Sequence, residues 1–187
     1  MRAVLLLALV AGCGDGDGGS DADADSDTDT DTDSDSDSDT GDDPAVCAGL
    51  ADETPPNMAL EDDLFALVTA ARADGATCDG ASVPPVGPIE MNPAIRCASR
   101  QHAREMAAAG AIQEIASEDF NARFRAFGYF GTRFSGTATD EAATAEGAFG
   151  EWMGLAGSCN LILNDSYEDF GVGTASGYWS IGFGSTR

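Results

Sequence analysis

His102, the five cysteines and the carboxylates around Glu114 are the side chains of this chain whose chemistry goes beyond packing. An imidazole titrates near neutrality and can serve as a general base or a metal ligand. His102 stands on a helical stripe with Ile95, Ser99 and Met106, and no Ser or Cys nucleophile motif accompanies it. It therefore reads as a helix residue that packs and hydrogen-bonds beneath a sheet. The chain contains no Gly-x-Ser-x-Gly, no His-Glu-x-x-His and no Gly-rich phosphate loop. Glu114, Glu118 and Asp119 lie close enough in sequence to imitate a paired-carboxylate hydrolase site. A charged turn ahead of a capped helix produces the same grouping, so it carries little. Cys47, Cys78, Cys97 and Cys159 include no C-x-x-C pair, which leaves a zinc ribbon or a thioredoxin-type site without support. In an exported chain these four read as two disulfides, with three pairings open.

The fifth cysteine has a different setting. Met1-Arg2 is followed by an apolar run from Ala3 to Val10 and then by Ala11-Gly12, small residues of the kind that precede a signal-peptidase cut. Ala3 to Gly12 is ten residues, against about 20 for a helix that spans a bilayer. Val10-Ala-Gly-Cys13 looks like a bacterial lipobox, in which cleavage before Cys13 accompanies diacylglyceryl attachment to its sulfur. Several acyl chains, at about 0.8 kcal/mol per buried CH₂, anchor a protein stably. Residues 1–12 are thus expected to be a signal peptide, and the mature protein to be lipid-anchored in the bacterial envelope, outside the cytoplasm.

From Gly14 to Asp43 the chain carries 14 Asp in 30 residues and no apolar side chain larger than Ala. No core can offset the entropy of ordering such a segment. Alternate aspartates stand about 7 Å apart on an extended chain, inside the roughly 10 Å Debye length at 0.1 M salt, so the segment repels itself. Asp-x-Asp-x-Asp is how an EF-hand loop begins, but that loop needs a Glu at position twelve and no Glu precedes Glu53. Residues 13–43 are expected to be a lipidated cysteine and a disordered spacer.

Pro44 to Arg187 then form one domain. Its 19 acidic residues face 8 arginines and no lysine, a net charge of −11 that repels phosphate backbones, so nucleic acid is not an expected partner. Leu60, Leu64, Leu67, Val68 and Ala71 have helical spacing, and Gly75 stops the helix. Asn92-Pro93 caps and opens a second helix that Gly110 ends. A third follows Ser117, with Phe120, Phe124 and Phe127 on one side, and a fourth starts near Thr139 or Thr144 and ends at Trp152-Met153. Phe170-Gly-Val-Gly173 and Tyr178 to Phe183 flank Ser176-Gly177 as a closing hairpin, with Trp179, Ile181 and Phe183 on its buried side.

The order of these pieces resembles the CAP superfamily, the domain of cysteine-rich secretory proteins, antigen 5 and pathogenesis-related proteins, and more closely its bacterial secreted branch. The resemblance runs from about Leu60 to Gly184. It rests on Ile89-Glu-Met-Asn-Pro-Ala-Ile, His102-Ala-Arg-Glu-Met-Ala107, Arg123 to Tyr129, Trp152-Met153, Gly157-Ser-Cys-Asn160, Gly171-Val-Gly173 and Tyr178-Trp179. It implies an α+β fold, a three-layer α-β-α sandwich with a small antiparallel sheet. It also implies the pairing Cys97 with Cys159, because the elements that carry them pack together in the family, and then Cys47 with Cys78.

Family members line a cleft with two histidines and two acidic residues able to hold a divalent metal. In this chain Glu114 and Ser158 stand where the histidines belong, Asp169 keeps one acidic position, and the other has no counterpart near Thr132-Arg133-Phe134. Glu114, Ser158 and Asp169 are at best a weak calcium set, so neither a metal nor any other cofactor is expected. The resulting expectation is a non-enzymatic binding or interaction module for a lipid, glycan or protein. The alternative is a metal-assisted hydrolase acting on envelope or extracellular material.

Overall fold

The structure, a computed structural model, describes residues 55–113 and 117–187. The signal, Cys13, the acidic spacer, Cys47 and Glu114 lie outside the described residues. Helix α1 (Pro55–Asp74) leads to a two-stranded hairpin, β1 (Ala76–Cys78) with β2 (Ala81–Val83). Strand β3 (Glu90–Met91), helix α2 (Pro93–Ala109), helix α3 (Ser117–Ala126) and strand β4 (Arg133–Thr139) follow. Helices α4 (Ala145–Gly154) and α5 (Ala156–Ile162) then precede the closing strands β5 (Asp169–Ala175) and β6 (Tyr178–Ser185). The main sheet has the order β3-β5-β6-β4; β3 runs parallel to β5 and the other pairs are antiparallel.

Local chemistry explains where the elements begin and end. The Asn92 side chain accepts from Ala94 N and Ile95 N, Pro93 opens α2, and Gly110 closes it at φ 67°. Thr144 caps α4 by accepting from Gly147 N, which fixes the start of the fourth helix there and leaves Thr139 to β4. Ser176 and Gly177 turn the β5–β6 hairpin with φ of 50° and 83°, the positive pair that a tight two-residue turn requires.

Alternation along β5 and β6 divides the residues between two layers. Phe170, Val172, Trp179, Ile181 and Phe183 face α1, α4 and α5, where Leu64, Val68, Trp152, Cys159 and Ile162 complete the larger core. The opposite face is built of glycine. A Cβ at Gly171 would lie 2.2 Å from Arg96 N, one at Gly173 2.2 Å from Arg100 N, and one at Gly182 2.5 Å from the Phe124 ring. The backbone of α2 therefore rests directly on the backbone of β5, and α3 packs its phenylalanines on the rest with Ala94, Ile95, Ala98 and Tyr129. This is the expected α+β, three-layer α-β-α arrangement.

Two buried polar clusters tie the elements together, one across the layers and one within a layer. Glu61 of α1, fully buried, accepts from Arg96 Nε at 2.8 Å and from Arg100 Nη2 at 2.7 Å, while Arg96 Nη2 also reaches Asp62. Burial pushes the Glu61 carboxyl upward despite both guanidiniums, so this cluster is costly to break rather than a net source of stability. Arg72, 1% exposed, donates to the carbonyls of Gly87, Ile162, Asn164 and Tyr167, pinning the end of α1 to the end of α5.

The disulfide pairing differs from the expectation. Cys78 is bonded to Cys159, with Cα atoms 5.6 Å apart, so Cys159 does not pair with Cys97 nor Cys78 with Cys47. The reason is the layering. Ser99 of α2 bonds Gly171 O of β5, and Cys97, two residues earlier, lies about 200° round the helix and faces away from the sheet. Cys159 sits beneath the other face, in the core that also contains Cys78. Cys97 is disulfide-bonded as well, to a partner outside the described residues.

Candidate functional site

His102 is held at both ring nitrogens. Its Nε2 is 2.8 Å from Gln113 O, and since a carbonyl can only accept, this nitrogen carries the proton. Nδ1 then accepts from Ser180 Oγ at 3.1 Å. Burial pushes its pKa below the usual value, the Gln113 carbonyl acting against that and the Arg123 charge adding to it. A neutral imidazole with both nitrogens committed inside the protein matches the structural reading of this residue. Beside it, Glu105 is bound by Arg123 at 2.8 Å and by Gln101 at 2.9 Å. Burial raises the Glu105 pKa, but the hydrogen bond and charge of Arg123 outweigh it and the net direction is down.

Asp169 is equally occupied. Its Oδ2 accepts from Tyr129 OH at 2.7 Å, and Oδ1 lies 3.5 Å from Asn92 Nδ2, so it ties the start of β5 to the cap of α2. Burial, and then the hydrogen bond to this carboxylate, drive the Tyr129 phenol far above its ordinary pKa. Asp169 lines a groove of about 770 Å³ at the end of the sheet, with Glu90, Asp165, Glu168, Arg133 and Arg187 around it.

Ser158 lies elsewhere. It is 8% exposed, its Oγ is 3.2 Å from Thr137 Oγ1, and it lines a groove of about 510 Å³ between β4 and α5. Ser135, Asn160, Asn164 and Tyr167 complete the polar lining. Tyr167 borders both grooves, so Ser158 and Asp169 stand on opposite sides of it. Glu114 is outside the described residues. Among the described residues, no three His, Cys, Asp or Glu side chains converge as a metal cage would require.

Sequence reasoning missed Tyr167, Asn164 and the hydroxyls of β4. They carry no sequence signal of a site: Asn164 and Tyr167 stand in the polar, acidic stretch Asn164-Asp-Ser-Tyr-Glu-Asp169, and β4 lies at the sheet edge with a half-exposed, weakly alternating pattern.

No family model matches the chain, and no curated protein sequence matches it. Solved structures do. An extracellular protein containing an SCP domain from Bacillus anthracis superposes with a TM-score of 0.59 at 12% identity, over 71% of this chain and 44% of that one. A cysteine-rich secretory protein from Staphylococcus aureus gives 0.58 at 12%, over 72% and 40%. An outer surface protein from Borrelia burgdorferi gives 0.55 at 9%, over 67% and 92%. The fold is CAP-like. The chain spans less than half the length of the first two of these proteins. Within this CAP-like domain, Ser158 and Asp169 line two different grooves.

Proposed function

We propose that this protein is a lipid-tethered component of the bacterial envelope whose CAP-like domain binds a ligand without catalysing its turnover. The observation that carries the binding reading is the disposition of polar groups. His102 is held at both ring nitrogens and Asp169 is tied to Tyr129, whereas the groove between β4 and α5 offers uncharged donors and acceptors. A hydrolase would need an unengaged base or a convergent donor set, and Ser158 and Asp169 lie in different grooves. The tether rests on the Val10-Ala-Gly-Cys13 sequence. Structural neighbours described as extracellular or outer-surface proteins agree with a location outside the cytoplasm.

Two measurements test this. Cys13→Ser is expected to leave the precursor uncleaved or to release the protein from the membrane fraction; unaltered processing and fractionation would overturn the tether. The Cys13→Ser chain produced without residues 1–12 is expected to be retained by insoluble envelope material in a saturable manner. Retention no greater than that of an acidic control protein would overturn the binding role.

A further inference from the structure

We propose that the groove between β4 and α5 is a binding site for a neutral oligosaccharide. This rests on the binding role proposed above and names the chemical class of its ligand. The groove is an open, shallow depression of about 510 Å³, suited to an extended ligand lying along the surface rather than to an enclosed small molecule. Its composition decides the class. Ser135, Thr137, Ser158, Asn160, Asn164 and Tyr167 supply its polar atoms, and among the described residues no charged side chain lines it. In a domain with 19 acidic residues and 8 arginines, an uncharged concave surface of this kind favours a ligand that is polar throughout and carries no charge.

The hydrogen-bonding inventory fits sugar hydroxyls, which donate and accept in equal measure. Asn160 Nδ2 donates to Ala156 O, which leaves its Oδ1 available as an acceptor. Asn164 Oδ1 accepts from Ser166 N, which leaves its Nδ2 available as a donor. Thr137 and Ser158 are bonded to each other and fix the floor. Tyr167, half-buried, has its ring centroid 5.7 Å from that of Phe183, so a core residue holds the ring at the groove's rim. A fixed ring with an apolar face and a polar tip suits the apolar face of a pyranose. Asp165, Glu168 and Asp169, just beyond Tyr167, set the selectivity. With Glu90 they outnumber Arg133 and Arg187 in that groove, where Arg187 pairs with Glu168, and the net negative charge disfavours sulfated or uronic-acid sugars approaching the same rim.

The test is calorimetric titration of the same Cys13→Ser chain, produced without residues 1–12, with four neutral tetrasaccharides. These are built from β-1,4-glucose, β-1,4-N-acetylglucosamine, α-1,4-glucose and α-1,6-mannose, with a sulfated tetrasaccharide as the charged comparison. At least one neutral sugar is expected to bind with a Kd below about 5 mM, and the sulfated sugar about tenfold more weakly or not at all. Asn160→Ala, which alters a solvent-facing side chain of α5, and Tyr167→Leu are each expected to weaken binding about tenfold. Tyr167→Phe, which keeps the ring, is expected to retain most of it. Unchanged near-ultraviolet dichroism shows that each variant is folded, and saturation of the aromatic protons is expected to transfer to sugar protons. The proposal is overturned if every neutral sugar binds more weakly than the threshold, if the sulfated sugar binds best, or if Asn160→Ala and Tyr167→Leu both bind like the parent. Should the sugars fail while envelope retention holds, the ligand class falls and the binding role stands.

Discussion

Replacing both Cys78 and Cys159 by alanine tests the observed cross-link and the layering that produces it. The two cysteines are 81 residues apart in sequence, so the bond closes a loop that contains β2, β3, α2, α3, β4 and α4. The loop-entropy relation gives about 4.5 kcal/mol at 25 °C for a loop of that length. For a domain of this size such a loss lowers the thermal midpoint by about 10–20 °C. Both sulfurs are buried in the larger core, so the substitutions also leave a small void that adds to the loss. The entropic account has a signature of its own. Freeing the unfolded chain exposes more surface, so the urea m-value of the variant should rise while the folded dichroism stays the same. Urea unfolding of parent and variant under non-reducing conditions measures both quantities. A loss below about 1 kcal/mol with an unchanged m-value would refute the reasoning. Peptide mapping of the unreduced protein should recover Cys78 joined to Cys159. With Cys13 acylated, it should also recover Cys97 joined to Cys47, the one cysteine left.

Two further outcomes follow from geometry described above. Gly173→Ala would place a methyl 2.2 Å from the Arg100 amide nitrogen, so it should cost at least about 2 kcal/mol, whereas Gly150→Ala, in the open on α4, should be neutral or stabilise by up to about 1 kcal/mol; paired denaturant curves decide. Because burial holds the His102 pKa below its unfolded value, the folded state binds the proton less readily than the unfolded chain. Its contribution is therefore complete above about pH 6.5 and lost as pH falls, with a slope of at most about 1.4 kcal/mol per pH unit. His102→Gln should abolish that slope, and a variant whose stability titrates like the parent's would rule the assignment out.

How much of this was legible in the sequence follows from how local each signal is. Asn92-Pro93, Gly110 and Ser176-Gly177 act on their immediate neighbours, and α2 and the closing hairpin stand where those residues put them. The apolar alternation of Trp179, Ile181 and Phe183 marked the buried face correctly. Strands β1, β2 and β4 were not legible, since Ala-Thr-Cys, Ala-Ser-Val and Arg-Phe-Ser-Gly-Thr-Ala-Thr carry little apolar alternation. Helix α5 was hidden because its seven residues carry neither a side-chain cap nor a periodic stripe long enough to read. Arg72, Arg96, Arg100 and Glu61 look in sequence like the solvent face of helices. Their burial depends on partners 15 to 95 residues away, a distance at which no spacing rule operates. The cysteine pairing failed for a related reason. Sequence order brings α2 and α5 into the same domain but does not say that the sheet runs between them.

The glycine face of the sheet also bears on how the chain reaches this state. Gly171, Gly173, Gly182 and Gly184 stand among the fifteen residues of β5 and β6, and each gives up more backbone freedom on ordering than any other residue type would. The hairpin that closes the chain is thus a poor early structure on its own, however favourable its turn. It gains its second layer only when α2, which begins nearly eighty residues earlier, settles against it. Assembly of the sheet and docking of α2 are consequently one event with a long loop to close. The rate-limiting step of folding should involve α2 and the closing hairpin at once, and should be slow for a chain this helical.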